Sequence, residues 1–181
     1  MKPFVSDMKK IRDRARSHLS EGAVTPGYQG DREQVIKVLN EVLATEIVCV
    51  LRYKRHYFMA EGMNSDSIKE EFLQHATEEQ AHADAIATRI VQLNGSPNFD
   101  PAGLATRSHS EYVEGNDLVS MIEEDLVAER IAIETYSEIV RWLGDADPTT
   151  RRVIEEILAK EEEHAEELSS LVAKIAPARK A

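Results

Sequence analysis

Glu79 and His82, and again Glu161 and His164, form Glu-x-x-His pairs. On a helix, a spacing of three puts both side chains on one face, within reach of a single ion. A lone glutamate in the preceding helical segment accompanies each pair, Glu46 for the first and Glu129 for the second. The intervals nearly coincide: 83 residues from Glu46 to Glu129, 82 from Glu79 to Glu161 and 82 from His82 to His164. Tyr53 and Tyr136 keep the same register, each seven residues after its glutamate. The chain therefore reads as two related helical hairpins that present one ligand set twice. Four carboxylates and two imidazoles suit a pair of iron or manganese ions.

The surroundings of these residues strengthen the metal reading. All six lie within apolar stripes, where an unpaired carboxylate costs several kcal/mol. Facing carboxylates also raise one another's pKa, so the set must hold either protons or cations. A single Glu-x-x-His on a charged helix usually means solvated surface. A duplicated set with matched glutamates and tyrosines is much harder to explain that way. Glu123, Glu124, Asp125 and Glu134 compete with Glu129 for its role, and the repeat register and inward stripe select Glu129.

Four long helical patterns must position the set. The first runs from Asp31, a plausible N-cap, to Gly62, with an inward stripe of Val35, Leu39, Val42, Glu46, Cys49 and Tyr53. The second runs from Asp66 to Asn94 and stops at Gly95, with Pro97 beyond. Its stripe is Ile68, Phe72, His75, Glu79, His82, Ile86, Ile90 and Leu93. The third starts at Asn116 or Asp117 and ends at Gly144, presenting Leu118, Ile122, Glu129, Ile133, Tyr136, Val140 and Leu143. The fourth follows Asp147-Pro148, with proline in its first turn, and reaches Lys174. It presents Ile154, Ile157, Glu161, His164, Leu168 and Leu171.

Short connections make the first two and the last two helices antiparallel hairpins. Residues 95–116 carry no clear helical pattern. The second helix is roughly 43 Å long at about 1.5 Å per residue, and the connection can span about 70 Å when extended. It can thus run the length of the bundle and set the second and third helices parallel. The expectation is an all-α, ferritin-like four-helix bundle over 31–176 with one long crossover. Residues 1–30 form an N-terminal arm and 177–181 a tail. In the arm, Ser6 is placed as the cap of a short helix carrying Phe4, Met8, Ile11, Ala15 and Leu19 on one side.

Composition narrows the class. The 181 residues are 42% hydrophobic and 30% charged, as expected of one helical domain with a real core. A net charge of −11 argues against a nucleic-acid surface over the whole molecule and suits attraction of cations. The single cysteine, Cys49, excludes an intrachain disulfide or a Cys-x-x-Cys site. No apolar segment reads as a signal peptide or a membrane span, so a cytoplasmic, soluble protein is expected.

From Val35 to Leu168 the chain resembles the bacterioferritins. The stretches LNEVLATEI, EEQAHAD, LVAERIAIETY and AKEEEHAEEL carry the likeness and include every candidate ligand. The resemblance implies two iron ions per subunit. Glu46 and His82 would hold one, Glu129 and His164 the other, and Glu79 and Glu161 would bridge them. Tyr53 would stand beside the site as a hydrogen-bonding or redox neighbour, or simply as a core tyrosine.

The chain departs from bacterioferritins in three places. Their haem-binding methionine follows the first bridging glutamate, where Gln80 stands here, and Met59 and Met63 are out of register, so no haem is expected. Only 17 residues follow His164, interrupted by Pro177, which leaves no room for a fifth helix. The arm is similar to those of Dps mini-ferritins and Dps-like proteins, which favours a hollow dodecamer over a shell of twenty-four. Homo-oligomers of closed symmetry are expected in either case.

Other residues are read more plainly. Cys49 is taken as a buried small hydrophobe, with peroxide reactivity as the lesser alternative. His75 is an entry or supporting residue or a core histidine, and His18, His56 and His109 are surface or loop residues. Lys2, Lys9, Lys10, Arg12, Arg14 and Arg16 make the arm basic. A solvated or interface-packed helix is the first reading of that charge, and DNA phosphate contact the second.

Four functions remain in view. The leading one is a ferroxidase and iron-storage protein using O2 or H2O2. The others are a peroxide-scavenging di-metal enzyme similar to rubrerythrin or manganese catalase, a DNA-coating shell, and a metal-free bundle.

Overall fold

A computed structural model describes residues 3, 5–20, 22–62 and 65–175. Among them are six helices: α1 (Met8–Ser17), α2 (Arg32–Met59), α3 (Ser65–Gln92), α4 (Leu104–Arg107), α5 (Leu118–Leu143) and α6 (Pro148–Ile175). The four long ones form the ferritin-like bundle, with α2/α3 and α5/α6 as its hairpins.

Side chains at the helix starts fix the frame. Asp31 accepts from the Gln34 backbone N–H at 3.2 Å, capping α2. Asp117 and Ser120 form a reciprocal capping box at the start of α5. Asp147 accepts from the backbone and hydroxyl of Thr150 at 2.9 and 2.6 Å, with Pro148 in the first turn of α6. Asp147 also receives Arg89 of α3 and the Tyr28 hydroxyl, which ties the end of the arm to the bundle.

The crossover settles the topology. Asn98 N–H donates to Asn40, His109 N–H to Thr45, and the Glu111 and Glu114 carbonyls accept from Arg52 and Arg55. Residue numbers rise together on the crossover and on α2, so the segment runs alongside α2 in the same direction. It delivers α5 to the far end of the bundle, antiparallel to α2 and parallel to α3.

Several local expectations need correction. α2 stops at Met59 rather than Gly62, because Ala60 turns to extended backbone and is buried in the core. The left-handed residue after α3 is Asn94 (φ 61°), not Gly95. Gly95 is needed for a different reason: a Cβ there would lie 2.9 Å from Ile36 Cγ2. The crossover holds the four-residue helix α4, too short to show a period in sequence. α1 is capped by Asp7 rather than Ser6, and none of its residues is buried. Met8, Ile11 and Leu19 are exposed rather than packed. Phe4, Lys2, Met63 and the 177–181 tail lie outside the described residues.

The core is in two parts. One, around Leu39, Leu43, Ile86, Ile90, Ile139 and Ile154, fills the end near the α3–crossover junction. The other, around Phe72, Ile68, Ile122, Leu126 and Leu168, fills the opposite end. The predicted ligands occupy the layer between them.

Candidate metal centre

Each long helix contributes to this middle layer: Glu46 from α2, Glu79 and His82 from α3, Glu129 from α5, Glu161 and His164 from α6. The five apart from His82 are at most 1% exposed, and the His82 side chain is 12% exposed. Their donor atoms gather into two overlapping groups. Glu46, Glu79, His82 and Glu161 form one, and Glu79, Glu129, Glu161 and His164 the other, with the atoms of each group within 4.8 Å of one another. Glu79 and Glu161 belong to both.

The contacts are close but poorly aligned for hydrogen bonding. His82 Nδ1 lies 3.0 Å from Glu161 Oε1 and 3.3 Å from Glu46 Oε2. His164 Nδ1 lies 3.3 Å from Glu161 Oε2 and 3.4 Å from Glu79 Oε1. Yet six buried atoms here have no hydrogen-bond partner: Glu46 Oε2, Glu79 Oε1, both Glu161 oxygens and the Nδ1 atoms of His82 and His164. Buried polar atoms are nearly always satisfied. Six orphans facing one another, four of them carboxylate oxygens and two imidazole nitrogens, are consistent with a site for two divalent cations.

Protonation supports the same conclusion. Burial, then the charge of Glu79, pushes the Glu46 carboxyl up to about 8. Burial and the charges of Glu79 and Glu161 drive Glu129 well above the usual carboxylate range. Burial alone would lower His164, but the facing carboxylates of Glu161 and Glu79 outweigh it and raise the imidazole to about 11. His82 is raised for the same reason, chiefly through Glu161 and Glu46. Burial and Glu46 push Glu161 up, and the two histidines more than reverse that, leaving it low. Without metal, protons do the neutralising that cations would do.

The two tyrosines cross over. Tyr53 of α2 donates to Glu129 of α5, and Tyr136 of α5 donates to Glu46 of α2. Each hydroxyl holds one oxygen of a lone glutamate, and in Glu46 the other oxygen, Oε2, is one of the six orphans. The sequence register flagged both tyrosines. That each serves the other hairpin's glutamate emerges only from the antiparallel packing of α2 on α5.

Other residues around the centre were read less fully from sequence. His56, taken for a surface residue, is fully buried and lies 2.8 Å from Asp125 Oδ2. Asp125 also accepts from Arg52 at 2.7 Å, making a buried ionic triad between α2 and α5. The available signal was spacing: Arg52 and His56 are four apart, and Asp125 is one turn before Glu129. Glu78, not singled out in the sequence, accepts from His164 Nε2 at 2.6 Å, fixing Nδ1 toward the centre. His75 is fully buried, with Nδ1 3.2 Å from the Tyr53 hydroxyl and its ring stacked on His164 at 4.0 Å between centroids. Cys49 is buried as expected, and burial raises its thiol well above the ordinary value, which suppresses thiolate chemistry. His109 is partly buried in the crossover, its side chain 22% exposed. No helix among the described residues is long and apolar enough to cross a membrane.

A four-helix bundle with a long crossover, gathering two carboxylate–histidine groups that share two glutamates, defines a di-metal carboxylate bundle. Residues 36–177 match the family model of the ferritin-like domain. The bacterioferritin of Mycobacterium leprae (strain TN) is 30% identical over 146 residues, covering 80% of this chain and 87% of that protein. The nutrient stress-induced DNA-binding protein of Nostoc sp. is 34% identical over 146 residues, covering 77% and 78%. Among solved structures, the bacterioferritin-related protein from Bacteroides fragilis, described as a dodecameric thioferritin, matches with a TM-score of 0.79 at 30% identity, over 93% of this chain and 95% of that one. The chain belongs to the ferritin-like iron-storage family, which includes the bacterioferritins.

Proposed function

We propose that this protein is a ferroxidase that stores and detoxifies iron. Its substrate is Fe(II), bound in pairs within each subunit and oxidised by O2 or H2O2. Glu46 and His82 hold one ion, Glu129 and His164 the other, and Glu79 and Glu161 bridge. The observation that carries this reading is the set of six buried, partnerless donor atoms in two groups sharing Glu79 and Glu161. Manganese would fit the same donors.

Paired Fe(II) ions supply two electrons together to one oxidant molecule, and the carboxylates favour the harder ferric product. The chain's own groups prepare the site. Tyr53 and Tyr136 orient Glu129 and Glu46. Glu78 orients His164. The protons held by Glu46, His82 and His164 at neutral pH must leave as the ions enter, so loading releases acid. In this reading the bundle over 31–176 is the catalytic body, and ferric iron collects inside a hollow homo-oligomer. Twelve subunits are favoured by the likeness to the dodecameric thioferritin, which extends over nearly the whole chain.

The test is Fe(II) oxidation by the purified assembly at rising iron per chain, with O2 and H2O2 compared. Continued turnover far beyond two irons per chain, with soluble product, supports storage. Oxidation that stops at two, with catalytic peroxide consumption in the presence of a reductant, supports a peroxide-scavenging enzyme instead. Glu129→Ala oxidising iron as fast as wild type would remove the site assignment.

A second reading concerns the arm. α1 exposes Lys9, Lys10, Arg12, Arg14 and Arg16 and buries nothing, which suits contact with DNA phosphates. DNA retention unchanged on deleting residues 1–20 would exclude that role.

A further inference from the structure

We infer that α1 docks on a second copy of this chain, in the groove between that copy's α2 and α5 beside Trp142. Met8, Ile11 and Ala15 recur at the three- and four-residue spacing of one helix face, with Val5 before them and Leu19 after. Val5 and Leu19 are 85% and 86% exposed, and no residue of α1 is buried. The arm's own return turn does not cover this face: Val24 and Pro26 share with Ile11, Ala15 and Leu19 a hollow of about 300 Å3. The arm is rooted at the bundle by the Tyr28–Asp147 bond, so an apolar helix is held beside the body with its apolar face uncovered.

A complementary surface lies on the bundle. Trp142, the single tryptophan, is 49% exposed near the end of α5. With Val38 of α2 and Ile139 of α5 it lines a groove of about 350 Å3, and Glu41 and Glu138 line the same groove. Tryptophans seated beside apolar grooves are frequent anchors of protein interfaces. Arg12 and Arg16 border the apolar stripe of α1 on the helical wheel, so a helix laid in the groove brings cations to the two carboxylates.

Charge chooses the occupant. Residues 1–20 carry six lysines and arginines against two aspartates, in a chain whose net charge is −11. The arm is therefore drawn to the body of another copy, while the body is repelled by anionic surfaces. Contact with DNA phosphates would use the cations and leave the apolar stripe in water. The groove takes both. An arm placed on a neighbour's groove is a heterologous contact, which closes into a ring in a symmetric oligomer. The inference is independent of the metal reading, since neither surface includes a ligand.

The experiment is acrylamide quenching of Trp142 in assemblies of full-length chains. Ile11→Glu/Leu19→Glu changes two exposed positions of the arm and should leave the bundle folded, with an unaltered Tm. Trp142 should be quenched more readily in this variant than in wild type. The variant is then co-expressed with a tagged Trp142→Phe chain, which keeps an intact arm, and mixed assemblies are purified through the tag. All emission now comes from the variant, so any shielding must be supplied by the other chain's arm. Mixed assemblies should regain protection that the variant alone lacks. If protection does not return, the arm covers only its own chain's groove and the proposal falls. Equal quenching of wild type and variant overturns it as well, and loss of DNA retention in that variant would then assign the arm to DNA.

Discussion

Glu46 with His82, and Glu129 with His164, are the same pair of residues placed twice by the repeat, yet their settings differ. His164 is fully buried, held by Glu78 through Nε2 and stacked on His75. The repeat counterpart of Glu78 is Lys160, which offers no acceptor, and His82 remains partly exposed. Beyond the ligands, α2 and α5 join through buried Arg52, His56 and Asp125 near the Glu129 side. Their counterparts, Thr135, Ile139 and Val42, are without charge. A duplicated ligand set has thus been given one buttressed half and one open half. Under the proposed assignment, two ions bound here would be inequivalent, one in a preorganised position and the other freer to exchange.

The largest expected effect removes what the halves share. Glu161→Ala deletes both orphaned oxygens common to the two groups. Both ions should be lost, and Fe(II) oxidation should fall by more than the ~10–100-fold typical of residues outside the ligand shell. Stopped-flow oxidation and metal stoichiometry check this. Retention of one tightly bound ion would show that the halves are independent.

Next in size is the ionic triad. Asp125→Ala leaves the guanidinium of Arg52, 1% exposed, without its carboxylate, which should cost about 3–5 kcal/mol. Thermal unfolding should move down by on the order of 10 °C. Exchanging the whole triad for its counterparts, Arg52→Thr, His56→Ile and Asp125→Val, should be close to neutral, since removing all the charges leaves none unpaired. A triple variant as unstable as the single one would mean that the triad itself, rather than its balance, holds α2 to α5.

A third change tests the buttress. Glu78→Ala frees His164 Nε2 and should weaken one of the two ions by roughly 10–100-fold, leaving the other nearly unchanged. Equal weakening of both would erase the proposed distinction between the halves.

Much of this arrangement is legible in the sequence, for physical reasons. A carboxylate within an apolar stripe conflicts with its surroundings, and the conflict repeated at 82–83 residues can be seen without coordinates. The crossover could be inferred because its length exceeds the bundle's. The grouping of Arg52, His56 and Asp125 is not legible in sequence because each is ordinary on its own helix, and only the antiparallel register of α2 and α5 brings them together. The crossed tyrosine bonds were hidden for the same reason. The end of α2 was misplaced because Ala60 leaves the helix to fill the core, a tertiary demand that overrides local propensity.

The smallest effect concerns pH. Folding raises Glu46 from its ordinary 4.5 to about 8 and His164 from 6.5 to about 11. A group raised by folding stabilises fully below its unfolded value and loses that contribution as pH climbs through its folded one. Stability of the metal-free bundle should therefore decline from about pH 5 toward 8 as Glu46 is forced to ionise, and further toward 11 as His164 gives up its proton. Glu161, held low by the two histidines, acts with the opposite sign, and only on the acid side. Divalent ions replace these protons, so their stabilisation should grow over the range in which the metal-free protein weakens. Calorimetry with and without Mn(II), at pH 5.5 and pH 8, should give the larger metal-induced rise in Tm at pH 8. The open half should supply a clear share of that difference, because Glu46, raised to about 8, belongs to it. In Glu46→Gln the pH dependence of the rise should shrink, while in Glu78→Ala it should persist. The reverse pattern would place the exchanging protons in the buttressed half and overturn the comparison.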